Sequence, residues 1–151
     1  MKEFATINDI LDFAINAEQE AVDFYNGLAA KLTNEAMRKV FVQFAQEEMK
    51  HKAKLLVIKE NGQFNVSAEK ILDLKISDYV VTALPSSNMS YQEALMLAMN
   101  KEKAAFKLYL GLSERAPNAD LKDLFLMLAQ EESKHKLRFE LEYDEHILKE
   151  N

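Results

Sequence analysis

The sequence predicts an all-α protein, a four-helix bundle made from two duplicated helical hairpins joined by one long crossover. Three observations carry that expectation. Gly and Pro number only three and two in 151 residues, which favours long helices over sheets that need frequent turns. Apolar residues recur in alternating steps of three and four along four separate segments. Displacing the sequence by 84 residues also superposes its two halves without a gap, placing Glu18 on Glu102, Tyr25 on Tyr109, Glu48 on Glu132 and His51 on His135.

The first helix is expected from Thr6, where Thr6-Ile-Asn-Asp9 resembles a capping box with Asp in place of Glu or Gln. Its stripe runs Ile7, Leu11, Ala14, Glu18, Ala21, Tyr25, Leu28, Leu32. Asn34 marks a short break, and a second stripe follows through Met37, Phe41, Phe44, Glu48, His51, Leu55 and Ile58. A break this short makes the two helices antiparallel neighbours. From Asn61-Gly62 to about Met89 the pattern weakens, and Pro85-Ser86-Ser87-Asn88 precedes the next helix. That length suits a crossover rather than a tight turn, with a short helix expected at Ala68–Leu74. Ser90-Tyr-Gln-Glu93 is a full capping box. The third stripe reads Tyr91, Leu95, Ala98, Glu102, Ala105, Tyr109, Leu112. Past Pro117-Asn118 the fourth reads Leu121, Phe125, Leu128, Glu132, His135, Phe139. The expected organisation is one domain over residues 1–151, with hairpins at 6–60 and 90–148 and the crossover at 61–89.

Composition removes several classes of function. A formal charge of −6 with no basic block disfavours nucleic acid as a partner. The N-terminal MKEFATINDILDF lacks a long apolar run, and no stretch of about 18 apolar residues occurs. The expected location is cytoplasmic, away from membranes. With no Cys, the chain has no thiolate to offer zinc or an iron–sulfur centre. A metal must be held by carboxylate and imidazole.

The repeated heptapeptide AQEEMKH (45–51) and AQEESKH (129–135) offers those groups. Its meaning depends on helix phase. Glu48 with His51, and Glu132 with His135, fall on the apolar stripes at i, i+3, so each pair shares one helix face. Glu18 and Glu102 interrupt the other two stripes singly, whereas Glu20, Glu47 and Glu131 lie off them. Six inward polar groups at one level would cost several kcal/mol per unpaired charge. Domains are stable by only about 5–15 kcal/mol in total. Protonated glutamates bonded to histidine could form an ion-free network, but four carboxylates face only two imidazoles. Two divalent cations would balance the four carboxylates and leave both histidines neutral, as ligands must be. An oxygen-rich set with one imidazole per metal suits iron or manganese, with zinc as a substitute. Ala14, Ala21, Ala98 and Ala105 flank the single glutamates, either to leave room or simply as good helix formers in a close-packed seam. Tyr25 and Tyr109 lie two turns beyond Glu18 and Glu102, either orienting carboxylates or serving as ordinary core residues. His146 is expected to be a solvated helix residue, and the seven Met are expected to fill core.

Together, Glu18 with Ala21 and Tyr25, Glu48-x-x-His51, Glu102 with Ala105 and Tyr109, and Glu132-x-x-His135 resemble the ferritin-like di-iron carboxylate pattern. Within that group the chain is most similar to the rubrerythrin family, because both halves carry ExxH. The resemblance implies two iron ions and reduction of hydrogen peroxide or dioxygen. Rubrerythrins usually append a rubredoxin-like domain that delivers electrons through a four-cysteine iron site. This cysteine-free chain resembles the domain-only members, for which the resemblance implies an external donor such as a rubredoxin. Ala105 stands where rubrerythrins tend to carry an additional glutamate. The alternatives are a ferroxidase or iron-handling protein and a bundle whose metal is purely structural. A homodimer is expected, closed within each chain or formed by exchange of hairpins between two.

Overall fold

The computed structural model describes residues 6–62 and 89–147. Among these residues there are four α-helices and no strand: α1 (Ile7–Lys31), α2 (Glu35–Glu60), α3 (Tyr91–Glu114) and α4 (Ala119–Ile147). α1 packs on α2 and α3 on α4, each pair in its own compact unit. The expected crossover, its short helix at Ala68–Leu74 and the Pro85–Asn88 stretch lie outside the described residues, apart from Asn61, Gly62 and Met89.

Side chains at the starts of the helices take up backbone N–H groups that have no partner within the helix. Both expected capping boxes form. Asp9 N–H donates to Thr6 Oγ1 at 3.1 Å while Thr6 N–H donates to Asp9 Oδ2 at 3.1 Å. Glu93 N–H donates to Ser90 Oγ at 3.1 Å, and Ser90 N–H to Glu93 Oε1 at 3.4 Å. The breaks inside the hairpins use one device twice. Met37 N–H donates to Asn34 Oδ1 (3.2 Å), and Leu121 N–H to Asn118 Oδ1 (2.9 Å). At the other end of α2, Gly62 takes φ +60°, a left-handed conformation that costs residues with a Cβ. Arg115 Nη1 donates to Gly111 O at 2.8 Å, satisfying a carbonyl near the end of α3.

Cross-helix contacts fix the direction of the first pair. Lys59 Nζ donates to Asp12 Oδ1, and Lys52 Nζ to Gln19 Oε1. Seven residues on along α1 therefore meet seven residues back along α2, which makes the helices antiparallel. The stripes form the cores. Leu11, Ala14, Tyr25, Phe41, Leu55, Leu95, Ala98, Tyr109, Leu112, Phe125, Leu128 and Phe139 are at most 1% exposed. Duplication extends to ring geometry: Tyr25 stacks on Phe41 (6.1 Å, 24°) and Tyr109 on Phe125 (6.3 Å, 24°). The two halves are not identical, however. Ala21 is buried, but its counterpart Ala105 is partly exposed.

Candidate metal centre

Helix phase carries the six expected ligands inward. Glu18, Glu48, His51, Glu102, Glu132 and His135 are all between 1% and 3% exposed. Glu20 is exposed, and Glu47 and Glu131 are partly so, which makes the inward and outward glutamates distinct. In the first hairpin His51 Nδ1 lies 3.7 Å from Glu18 Oε2 and 3.8 Å from Glu48 Oε1. In the second, His135 Nδ1 lies 3.6 Å from Glu102 Oε2. Glu18, Glu48 and His51 each offer a ligand atom within 4.8 Å of the others, and so do Glu102, Glu132 and His135.

These spacings allow a fit test. Hydrogen bonds of this type run to about 3.2 Å, so contacts of 3.6–3.8 Å are too long for them. Two donors each about 2.1 Å from one ion can stand up to about 4.2 Å apart. The imidazole and carboxylate atoms therefore have the separation that ligands of a shared cation adopt. Their chemistry agrees, since hard oxygens with an imidazole suit a divalent first-row metal. Each set could hold a metal.

Around the donors the small and aromatic residues fall largely as the stripes predict. Ala14 and Ala98 are fully buried, as are the rings of Tyr25 and Tyr109. Tyr25 also meets Phe44 edge-on, with ring centroids 6.3 Å apart.

One polar cluster was not foreseen. Tyr91 Oη donates to Glu142 Oε1 at 3.0 Å, Arg138 Nη1 lies 3.8 Å from Glu142 Oε2, and Glu142 is 9% exposed. His146, exposed as expected, sets its ring edge-on to Tyr91 at 4.8 Å and 88°. The signal was available: two more steps of three and four beyond Phe139 reach Glu142 and His146. At the equivalent positions the first hairpin has Ile7, Ile58 and Gly62, so this cluster belongs to one half only. Burial is the main cause that raises the Tyr91 pKa well above its ordinary value, and the Glu142 charge and hydrogen bond add to it. Arg138 opposes them.

Residues 9–89 and 93–151 match the family model for rubrerythrin. The chain belongs to the rubrerythrin family. No curated protein and no solved structure matches it significantly. The match spans both hairpins, and the fold is all-α, of the ferritin-like four-helix-bundle class. This rubrerythrin-family chain has no cysteine among its 151 residues, so none of them builds a rubredoxin-like iron site. Among the described residues no helix is long and apolar enough to cross a membrane.

Proposed function

We propose that Glu18, Glu48 and His51 act with Glu102, Glu132 and His135 to hold two iron ions. With these the protein would reduce hydrogen peroxide, dioxygen or both, using electrons from an external donor. The observation that carries the reading is the pair of buried Glu/Glu/His sets at equivalent positions of a duplicated chain in the rubrerythrin family. Four carboxylates balance two divalent ions, and His51 and His135 would bind as neutral imidazoles. Manganese or zinc could substitute.

A pair of ferrous ions would supply two electrons to an O–O bond. The chain's own residues do the rest. Glu48 with His51 and Glu132 with His135 would serve as ligand pairs, and Glu18 and Glu102 would add a carboxylate to each hairpin's set. Phe41, Leu55, Phe125 and Leu128 are fully buried one or two turns along the same stripes, where they help keep bulk water out. Ala14 and Ala98 leave room for a small oxidant beside the single glutamates. Tyr25 and Tyr109 act as positioning residues, their rings held by Phe41 and Phe125 so that each phenol can steady a carboxylate.

The test is to load the protein with Fe(II) anaerobically, mix it separately with peroxide and with dioxygen, and follow the ferric absorption. A single stoichiometric burst that resumes when a rubredoxin-type donor system is added is the expected result. Continued oxidation of many Fe(II) per protein without a donor would mean iron handling. No reaction with either oxidant would leave a structural metal.

A further inference from the structure

Core filling accounts for few of the methionines. Met37, on an inward stripe, is 3% exposed, while Met89, Met99 and Met127 are partly exposed. Met49 is 53% exposed and Met96 48%, which corrects the expectation of a core position for both. Met1 lies outside the described residues.

The fold does not require an apolar side chain at either exposed position. Duplication matches Met49 with Ser133 and Met96 with Asp12, and both polar counterparts sit within equivalent helices. Each hairpin therefore carries one half-exposed thioether that the other lacks. Met49 directly follows the donor Glu48, at almost the same height on α2 and rotated about 100° from it. Met96 stands six residues before Glu102, about 9 Å along α3.

What sets methionine apart from other apolar side chains is a sulfur lone pair that can attack an O–O bond, with a reactivity that follows exposure. Hydrogen peroxide is small and uncharged, so it goes where water goes, and nearby charges neither collect it nor repel it. Exposure then ranks the sites. We infer that Met49 and Met96 are modification sites at which peroxide converts the thioether to the sulfoxide. Sulfur bonds to one peroxide oxygen, the O–O bond breaks, and the other oxygen leaves as water with both hydrogens. Sulfur is oxidised by two electrons and peroxide is reduced by two. The new polar oxygen meets solvent at once and disturbs no packing, whereas the same change at Met37 would enter the core. Sulfoxide reductases, one for each epimer, can reach both exposed positions and restore the thioether. The step needs peroxide but no metal, so it stands apart from the redox reading above.

The experiment treats the folded protein with hydrogen peroxide, both as isolated and loaded with zinc, which has no redox chemistry of its own. Timed samples are quenched, digested and mapped by mass spectrometry. Met49 and Met96 should take up oxygen about tenfold or more faster than Met37, with Met89, Met99 and Met127 between. In denaturant the ranking should collapse, because the fold sets it. Met49→Leu/Met96→Leu should remove two oxygens per chain from the fast phase. When only the two exposed sites are oxidised, the melting midpoint should stay within about 2 °C, and longer treatment that reaches Met37 should lower it further. A pair of sulfoxide reductases should return both exposed sites to methionine. Resistance of Met49 or Met96, oxidation of Met37 at their rate, or a ranking that survives denaturation would overturn the assignment. So would loss of the fold when only the exposed pair is oxidised.

Discussion

Glu131 and Glu132 share their chemistry and nearly all of their sequence context, yet Glu132 is 1% exposed while Glu131 reaches solvent. The account makes them unequal. Glu132→Ala should remove or greatly weaken one metal position, and Glu131→Ala should leave loading nearly intact, as read by elemental analysis after iron loading. Equal losses would mean the inward face is misassigned. Tyr91 gives a second prediction. Its phenol is held neutral by burial and by the Glu142 carboxylate, so its folded pKa stands above the unfolded value near 10. A group with a raised folded pKa contributes stability that is fully present below the unfolded value and is lost as pH climbs through the folded one. In an alkaline absorbance titration Tyr91→Phe should therefore reduce the late-ionising absorbance by one phenol. Denaturant melts above about pH 10 should show wild type losing stability relative to Tyr91→Phe. A late step of unchanged amplitude in the variant would show that Tyr91 does not contribute to it.

At the scale of the element, most of the helices were legible because each start announces itself chemically. Thr6, Asn34, Ser90 and Asn118 each accept a backbone N–H at their helix's first turn. The asparagines read as breaks in the sequence, and their capping role needed the side-chain geometry. Asn34→Ala and Asn118→Ala should each cost about 1 kcal/mol in denaturant melts, and a double variant should lose roughly the sum because the caps are in different hairpins. Negligible loss from either would mean that water serves the N–H as well. Gly62 is a different case. A Cβ there would meet nothing within 4 Å, yet φ +60° makes Gly62→Ala unfavourable by about 1 kcal/mol through the backbone alone. What the sequence hid lay at stripe ends and in the differences between copies. The inward pattern on α4 continues through Glu142, a charged residue that hydropathy alone assigns to solvent. Ala21 and Ala105 are the same residue in matching positions but differ in burial, since exposure depends on neighbours outside their own helix.

For the whole molecule, the duplication was the most informative feature, because it turned one charged heptapeptide into two equivalent donor sets. Heptad phase identified which glutamates turn inward, and within each hairpin two glutamates and a histidine lie close together. Phase says nothing, however, about which hairpin faces which, so cooperation of all six ligands remains the proposal from which the redox function follows. The most direct measurement is an anaerobic titration of metal-free protein with Fe(II), with bound iron counted by elemental analysis in wild type, Glu18→Ala and Glu102→Ala. The account predicts about two irons per pair of hairpins in the wild type and a clear loss in each variant. No bound iron, or a stoichiometry unchanged by both substitutions, would contradict it.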